Sequence, residues 1–348
     1  MWYCGLDLAG VSSYAFVTDA RGVKEWSGPL ETSRLAFERL VKRYRGGFSV
    51  AIEAGNQTAW VYEVLLKAGA QATVVNPVKV TAIAESRKKT DKIDAKILCE
   101  LLRINGLPHP VHMPGAETRA LRGLLTARRQ LVRTRTKLCN FVRGLLRQSG
   151  VSLPARGLAS QAAWKRLLAK GFEQMHMALI VAGYYDNFTV VTRSIRELDQ
   201  QLAEKEQADP RAALLQTMPK VGRIAALTFL AAVDNVQRFP SSRKLIGYTG
   251  LAPTVRQSGE HAQYGPITRE GRHELRGVWV QIAHLVARDQ SSASRPLRRW
   301  YDRVAKKRGA KTALVGLARR LLVIAYQILK TETPYDAKKL SKRRTRAV

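Results

Sequence analysis

The chain has 348 residues, of which 45% are hydrophobic, and its 59 Lys and Arg against 27 Asp and Glu give a formal net charge of +32. The hydrophobic share excludes a disordered polycation, and the length favours two or three domains. No uninterrupted apolar run is long enough to cross a bilayer, and the N-terminus lacks the basic region and cleavage site of a leader. A cytoplasmic protein without a membrane partner is therefore expected.

The excess of positive charge predicts a polyanionic partner. A folded chain with this charge repels itself unless a polyanion neutralises it, and nucleic acid is the usual one. A membrane surface is the weaker alternative, because the basic residues are spread over several segments and are not confined to one amphipathic helix.

Cysteine and histidine give no metal motif. Cys4, Cys99 and Cys139 are scattered without metal-ligand spacing, which fits a reducing compartment. His109 and His112 have no cysteine partner and enclose Pro110, so a loop is favoured over a zinc site there.

Hydrophobic patterning predicts an α/β layer at the start of the chain. Three short strands are expected over residues 2–8, 13–18 and 23–26. After them we expect, in order, a helix over 35–44, a strand over 48–54, a helix over 60–66, a strand over 72–75 and a helix that begins near Asp91.

Four acidic residues in this layer are candidate catalytic residues and metal ligands. Asp7 and Glu53 close two apolar strands, and Asp91 and Asp94 share one face of the predicted helix, a turn apart. Two carboxylates held so close repel each other unless a cation lies between them, and the lysines around them point to a phosphate-bearing substrate. Such a set suits one or two Mg²⁺ ions, which can activate an attacking oxygen and stabilise a leaving one.

Each acid also has an ordinary interpretation. Asp7 and Glu53 could simply be exposed at the ends of their strands, while Asp91 could cap the helix and Asp94 could be a solvated acid in its first turn. Convergence of all four on one point would favour the metal site.

From Glu117 onward a long basic helix is predicted, followed by a second long helix over about 172–205 with a possible interruption at Gly183. Acidic residues are nearly absent from the first helix, so salt bridges are not expected to balance its charge, and contact with phosphates is favoured over a solvated surface. The two helices would form a hairpin. Its candidate nucleic-acid contacts are Arg122, Arg129, Arg133 and Lys137.

A Pro219-Lys220-Val221-Gly222 turn opens the next apolar helix. It resembles the hairpin of helix-hairpin-helix DNA binders, in which backbone N–H groups of a glycine turn face a phosphate. Lys220 and Gly222 are therefore candidate nucleic-acid contacts.

The segment 247–260 carries glycine and serine, is expected to be flexible, and contains Ser258 directly before a glycine. Ser258 could be an ordinary loop residue, or a nucleophile that attacks a phosphodiester while arginines stabilise the charged transition state. No neighbouring base is obvious. The arginines nearby in sequence are Arg256, Arg269, Arg272 and Arg276.

The remainder is predicted to be helical over 275–289 and 295–330. A basic tail from Lys338 is expected to be disordered when free and to act electrostatically.

Together these motifs resemble the DEDD-type insertion-sequence transposases of the family numbered one hundred and ten. The resemblance covers nearly the whole chain and rests on the order of short motifs. The motifs that carry it are Gly5-Leu6-Asp7, Ile52-Glu53-Ala54, Thr90-Asp91-Lys92-Ile93-Asp94, Pro219 with Val221-Gly222, Gly250-Leu251-Ala252-Pro253, Ser258-Gly259 and Ile267-Thr268-Arg269-Glu270-Gly271. Lys220 stands where the family usually has glycine, and Gly10 stands where lysine is common.

The resemblance implies an α/β RNase H-like (RuvC-like) domain over 1–110, a helical coiled-coil stalk over 111–208, a mostly α-helical transposase domain over 209–332 and a basic tail over 333–348. It further implies a bridge-RNA-guided recombinase that cuts DNA through a covalent link to Ser258, with Mg²⁺ at Asp7, Glu53, Asp91 and Asp94. The implied partners are donor and target DNA, a non-coding guide RNA, and further copies of the chain in a tetramer whose active sites combine two protomers.

Two other functions stay open. A RuvC-like nuclease could hydrolyse DNA junctions with metal-activated water and leave Ser258 without a role. A non-catalytic nucleic-acid scaffold could carry the same acids as structural groups.

Overall fold

The computed structural model describes residues 1–44, 46–84, 90–154, 156–258 and 261–342, without the side chains of 81–84, 256–258, 261–262 and 341–342. The chain forms two compact units, residues 1–114 and 115–348. Each unit is described by itself.

The first unit is built on a five-stranded mixed sheet. Its strands are β1 (Trp2–Asp7), β2 (Ser12–Thr18), β3 (Lys24–Glu31), β4 (Phe48–Glu53) and β5 (Gln71–Val75). Their order across the sheet is β3-β2-β1-β4-β5. β1, β4 and β5 are parallel, whereas β2 runs antiparallel to both of its neighbours. The carboxyl ends of the three parallel strands therefore lie at one edge.

Helices cover both faces of this sheet. They are α1 (Arg34–Arg43), α2 (Thr58–Lys67), α3 (Pro77–Ala84) and α4 (Asp91–Arg103). Cys4 and Leu6 of β1 pack in the core that contains the buried residues of α1 and α2. Because side chains alternate along a strand, Tyr3, Gly5 and Asp7 face the other side, which α4 covers.

The predicted order of strands and helices through residue 75 is confirmed, and two details differ. β3 extends to Glu31, five residues beyond its predicted end, because its pairing with β2 continues past Pro29. α3 was not predicted and precedes the acidic helix. His109 and His112 lie in a segment without helix or strand, as expected.

The second unit is mostly helical. Its long helices are α5 (Ala116–Gln148) and α7 (Met175–Ala208), with α6 (Gln161–Ala169) between them. After α7 follow α8 (Pro210–Gln216), α9 (Arg223–Val233), a short 3₁₀ helix (Val236–Arg238), α10 (Ser242–Thr249), strands β6 (Pro253–Ser258) and β7 (His261–Ile267), α11 (His273–Arg288), α12 (Arg295–Arg308), α13 (Ala310–Thr331) and α14 (Ala337–Lys342).

α5 and α7 pack against each other, and α7 is continuous through Gly183. One end of the pair has its own core with α6, centred on Trp164. At the other end, Leu121 and Leu202 contact the large core formed by α8–α13. Coiled-coil packing of α5 and α7 stays a prediction.

Three expectations for the C-terminal region differ from the structure, the third of them only in part. The segment 247–260, predicted to be flexible, contains the end of α10 and the whole of β6, which ends at Ser258 and pairs with β7 in an antiparallel hairpin. The helix predicted over 295–330 is two helices, because Gly309 adopts φ 82° between α12 and α13. The tail from Lys338 was predicted to be disordered, but its first residues belong to α14 (Ala337–Lys342); for residues 343–348 the prediction lies outside the described part of the chain.

α13 is long and apolar enough to cross a membrane by length and composition, unlike any run foreseen from the sequence. Its apolar face is occupied within the protein: Leu317, Leu321 and Ile328 are buried in the large core of the second unit. The same composition is common in core helices of globular proteins, so it is weak evidence for a membrane span.

Candidate active site and nucleic-acid interface

Asp7 and Glu53 occupy neighbouring strand ends. Asp7 is the last residue of β1 and Glu53 is the last of β4. The two strands are parallel and pair Leu6 with Ile52, so the two acids are the next residues along adjacent strands. Glu53 is two residues after Ala51 and therefore points to the same side of the sheet, and Ala51 packs with Leu98 of α4. Both acids therefore project from the face that α4 covers.

α4 lies directly on β1 at Gly5. A Cβ on Gly5 would be 1.9 Å from the carbonyl oxygen of Ala95 and 2.5 Å from the backbone nitrogen of Cys99. The Cys99 thiol donates a hydrogen bond to the carbonyl oxygen of Tyr3 at 3.2 Å. Cys99 therefore lies at Tyr3, and Ala95, one turn earlier in the helix, lies at Gly5. The helix runs against the direction of the strand, so its first turn lies toward the Asp7 end of β1.

Asp91 and Asp94 both lie in that first turn. The helix is capped by Thr90, whose hydroxyl oxygen accepts a hydrogen bond from the backbone N–H of Ile93 at 3.3 Å. Thr90, and not Asp91, is therefore the N-cap, so the interpretation of Asp91 as a capping residue is wrong. Asp94 is half-buried and Asp91 is exposed. The positive end of a helix favours negative charge at both positions.

The backbone thus brings the predicted acids to one end of one sheet face. Over the described residues, however, no three His, Cys, Asp or Glu side chains lie close enough together to hold a metal ion. The donor chemistry fits Mg²⁺, which takes carboxylate oxygens and keeps several waters. Asp7, Glu53, Asp91 and Asp94 as ligands stay a prediction.

In the second unit, Ser258 ends β6 and has His261 as its register partner on β7. The side chains of Ser258 and Arg256 lie outside the described part of the structure. Ser258 as the nucleophile and Arg256 as a nucleic-acid contact therefore stay predictions. The base of the hairpin is held by backbone hydrogen bonds. Thr268 donates to the carbonyl oxygen of Ala252 at 2.9 Å, and Arg269 donates to that of Gly250 at 3.1 Å.

Two glycines permit this attachment. Gly250 and Gly271 have φ of 67° and 87°, in the left-handed region that favours glycine. A Cβ on Gly250 would be 2.0 Å from the carbonyl oxygen of Glu270, and one on Gly271 would be 2.2 Å from that of Tyr248. Neither position has space for a side chain.

Four of the predicted nucleic-acid contacts line one cavity of about 400 Å³ among α5, α9 and α11. Arg128 and His273 also line it, and Glu274 is the one acidic residue among the described residues of its lining. We name it the arginine cavity. The four predicted residues are Arg122, Arg129, Arg133 and Arg272.

The side chain of Arg122 is hydrogen-bonded to backbone carbonyl groups. Its guanidinium donates to the carbonyl oxygens of Ala231 at 2.6 Å and Ala232 at 3.3 Å, at the C-terminal end of α9. Burial, and then the nearby positive charge of Arg272, lower the pKa of Arg122. Its contacts favour a helix-capping role.

The other arginines of the cavity differ in how they are held. Arg129 pairs with Glu274 at 3.3 Å, and Arg128 pairs with Asp199 of α7 at 2.5 Å. These two salt bridges were not foreseen, because their acids come from α7 and α11 and not from α5 itself. Arg133 is exposed, and its side chain forms no hydrogen bond or ion pair with the described residues.

Arg272 donates from Nε to the hydroxyl of Tyr248 at 3.2 Å. Burial works to raise the pKa of Tyr248, but the guanidinium groups of Arg272 and Arg238 outweigh it and lower the pKa. The guanidinium carbon of Arg238 also lies 4.6 Å from the centre of the Tyr248 ring. Two guanidinium groups, those of Arg272 and Arg238, therefore lie at the side chain of Tyr248.

The remaining predicted contacts lie elsewhere. Arg276 donates to the carbonyl oxygens of Thr249 and Arg269, and so holds the base of the hairpin. Arg269 and Lys137 are exposed. Gly222 caps α9 at its N-terminal end.

Lys220 adopts φ 64°, a conformation that suits the glycine expected at this position from the resemblance. Its ammonium nitrogen lies 3.0 Å from the carboxylate of Asp289. Hydrogen bonds from Ser291, Ser294 and Lys220 hold the pKa of Asp289 well below its usual range. The Lys220 side chain is therefore engaged in an ion pair within the chain, although it is exposed.

The sequence interpretation missed Gly5 as a positioning residue. The signal was available, since a glycine inside a strand indicates a close backbone approach. It also missed the Arg128–Asp199 pair, which joins residues 71 positions apart and has no local signal.

Comparison with known proteins identifies two family matches. Residues 4–150 match a DEDD-type family described as "Transposase", and residues 212–298 match one described as "Transposase IS116/IS110/IS902 family". The first match includes the four acids, and the second includes Ser258 and the turn at Gly222.

Similar curated proteins carry related descriptions. A probable family 20 transposase of Pseudomonas aeruginosa is 27% identical over 82% of this chain and 85% of its own length. The transposase for insertion sequence element IS1111A of Coxiella burnetii is 24% identical over 95% of this chain and 91% of its own. A pilin gene-inverting protein of Moraxella bovis is 27% identical over 76% and 74%.

Proposed function

Because the chain belongs to the IS110 family of DEDD-type transposases, we propose that it is an RNA-guided recombinase that cuts and rejoins DNA through a phosphoserine link at Ser258. The observation that carries the acidic half of this proposal is the convergence of β1, β4 and α4. Asp7 and Glu53 end adjacent parallel strands, on the face where the first turn of α4 supplies Asp91 and Asp94. The mixed sheet that holds them is the RNase H-like domain in this proposal.

In the proposed reaction, the Ser258 hydroxyl oxygen attacks a phosphodiester phosphorus. An O–P bond to the serine forms, the bond to one deoxyribose oxygen breaks, and that oxygen takes up a proton while the serine proton passes to a base. A hydroxyl of the second strand then attacks the phosphoserine and releases the enzyme. The phosphodiester energy is conserved, so no cofactor is consumed.

The four acids hold Mg²⁺ in this proposal, and the bound ion supplies charge stabilisation on the phosphate oxygens. Arg133 and Arg272 of the arginine cavity, which line a cationic surface, bind substrate phosphates. Donor and target DNA are the substrates, a non-coding RNA selects them by base pairing, and the protein works in the bacterial cytoplasm at the nucleoid.

The test uses the full chain expressed beside its natural flanking DNA. Ser258→Ala is expected to abolish both recombinant junctions, measured by PCR, and any protein–DNA adduct on a denaturing gel. Ser152→Ala, on an exposed loop serine, is the matched control. If Ser258→Ala left DNA cleavage intact, the chain would be a metal-dependent junction endonuclease instead.

Asp94→Asn is expected to abolish cleavage while nucleic-acid binding persists. Glu38→Gln on α1 removes the same charge from the first unit and should leave cleavage unchanged. If the unaltered protein bound nucleic acid and never cut, a non-catalytic scaffold would be the better description. Deleting the flanking non-coding DNA should abolish recombination only if its transcript is the guide.

The proposed tetramer combines the serine of one protomer with the acids of another. Mixing Ser258→Ala protein with Asp94→Asn protein should then restore part of the activity, because some sites receive an intact serine and intact acids. The double variant mixed with itself should stay inactive. Absence of any restoration would place both halves of the site in one protomer.

A further inference from the structure

A second cationic surface lies away from the arginine cavity, in a groove of about 560 Å³ formed by α12, α13 and α14. Of the ten described residues that line it, half are Arg or Lys and none is acidic. We name it the α12 groove. Its basic residues are Arg295, Arg299, Arg303, Arg320 and Lys338.

The three arginines of α12 form a regular row. Arg295, Arg299 and Arg303 are four residues apart, so they recur about every 6 Å along one side of the helix. Among the described residues, none offers these three side chains a hydrogen bond or an ion pair. They are exposed, unlike the tethered Arg122 and Arg129 of the arginine cavity. A row of uncompensated cations with this spacing suits a chain of phosphates.

An aromatic ring lies within the same row. Trp300 lines the groove beside Arg299, and the guanidinium carbon of Arg320 lies 5.4 Å from the centre of its ring. The ring rests on α13 at Gly316, where a Cβ would be 2.9 Å from it. Trp300 is therefore held between two helices and is only half-buried.

Taken together, the geometry points to the α12 groove as a binding site for single-stranded nucleic acid. A cationic track combined with an aromatic platform is how proteins hold unpaired strands, because every base has a face that can stack on the ring. A duplex keeps those faces inside its stack and presents phosphates and base edges instead. The inference rests on the proposed handling of nucleic acid, but it does not depend on Asp94 or Ser258.

The full chain would be tested by fluorescence anisotropy with labelled 12-nucleotide single strands of DNA and of RNA, and with the matching DNA duplex. Arg299→Gln with Arg303→Gln should weaken single-strand binding about tenfold and reduce the slope of log K against log salt by about 1.4, for two phosphate contacts. The matched control is Arg39→Gln with Lys42→Gln, which removes two exposed charges from α1.

Trp300→Leu should weaken single-strand binding roughly tenfold and leave duplex binding unchanged, whereas Trp300→Phe should retain most of the affinity. The melting temperature of each variant shows whether a loss of binding comes from a folding defect. The two arginine substitutions are on the surface and should leave the melting temperature unchanged. Loss for RNA alone or for DNA alone supports the site and identifies its strand.

Three results would overturn the inference. They are equal losses for the α1 control and the groove variant, equal losses for duplex and single strands with Trp300→Leu, and binding of anionic lipid vesicles in preference to oligonucleotides. Recombination is measured separately on the unaltered chain. If the unaltered chain does not recombine DNA but the groove variants still bind single strands more weakly, the proposed recombinase function is refuted and the inference about the α12 groove is supported. The reverse pattern leaves the recombinase intact and removes the groove.

Discussion

Gly5 of β1 lies against the backbone of Ala95 in α4 so closely that a Cβ would be 1.9 Å from the carbonyl oxygen. This contact sets the distance between the strand that carries Asp7 and the helix that carries Asp94. The absence of a side chain at residue 5 is thus what allows the two proposed metal ligands to approach each other.

Gly5→Ala is expected to destabilise the protein by about 3 kcal/mol and to abolish DNA cleavage, because the new methyl group forces α4 away from the sheet. Urea unfolding measures the stability, and plasmid cleavage measures the activity. Gly10→Ala is the control, since a Cβ there meets nothing within 4 Å. Equal stability of the two variants would contradict the close packing of α4 on β1.

The acids of the first unit could be found from sequence because each has a local signature. Asp7 and Glu53 close apolar strands, and Asp91 and Asp94 have helical spacing. The short apolar runs that became β1 and β4 also gave the strand assignments. The sheet order could not be read in the same way, because strand pairing depends on contacts between distant segments.

Arg122 and Arg133 look alike in sequence, but the structure separates them. Arg122→Gln is expected to lower the free energy of unfolding by about 2 kcal/mol, because the carbonyl oxygens of Ala231 and Ala232 lose a charged donor. Arg133→Gln should leave stability unchanged and reduce nucleic-acid affinity and its salt dependence.

Chemical denaturation and anisotropy on both variants test this distinction. A loss of affinity without destabilisation in Arg122→Gln would contradict the capping role. The sequence could not separate the two arginines, since the carbonyl oxygens that engage Arg122 lie more than 100 residues away.

The hairpin that carries Ser258 depends on Gly250. Gly250→Ala is expected to destabilise the protein and to reduce adduct formation, because residue 250 has φ 67° and its Cβ would be 2.0 Å from the carbonyl oxygen of Glu270. Gly247→Ala is the matched control on α10, where a Cβ meets nothing and alanine favours the helix by about 0.5–1 kcal/mol.

Thermal unfolding and denaturing gels measure the two effects. If Gly247→Ala and Gly250→Ala behaved alike, the hairpin would not be anchored through this turn. The glycine and serine content of the segment had indicated flexibility. Its pairing was missed because residues 253–267 lack a strong alternating pattern, and Gly265 and Pro266 fall within β7.

Asp289 joins the end of α11 to the turn before α9 through its ion pair with Lys220. The hydrogen bonds from Ser291 at 2.5 Å and Ser294 at 2.7 Å favour the ionised carboxylate, so the pKa of Asp289 is lower in the folded chain than in the unfolded one. The folded state then binds the proton less readily. The stabilisation is complete above about pH 4, the usual range for Asp, and is lost as the pH falls toward the folded pKa.

Asp289→Asn should therefore lower the melting temperature at pH 7, and its difference from the unaltered chain should narrow as the pH falls below about 4. Circular dichroism melts between pH 7 and pH 3 measure this, with Asp186→Asn on the exposed side of α7 as the control. A difference that stayed constant over the whole range would show that the contribution of Asp289 is independent of its charge. Lys220 would then be available to bind a phosphate, which is the role predicted for it from the sequence.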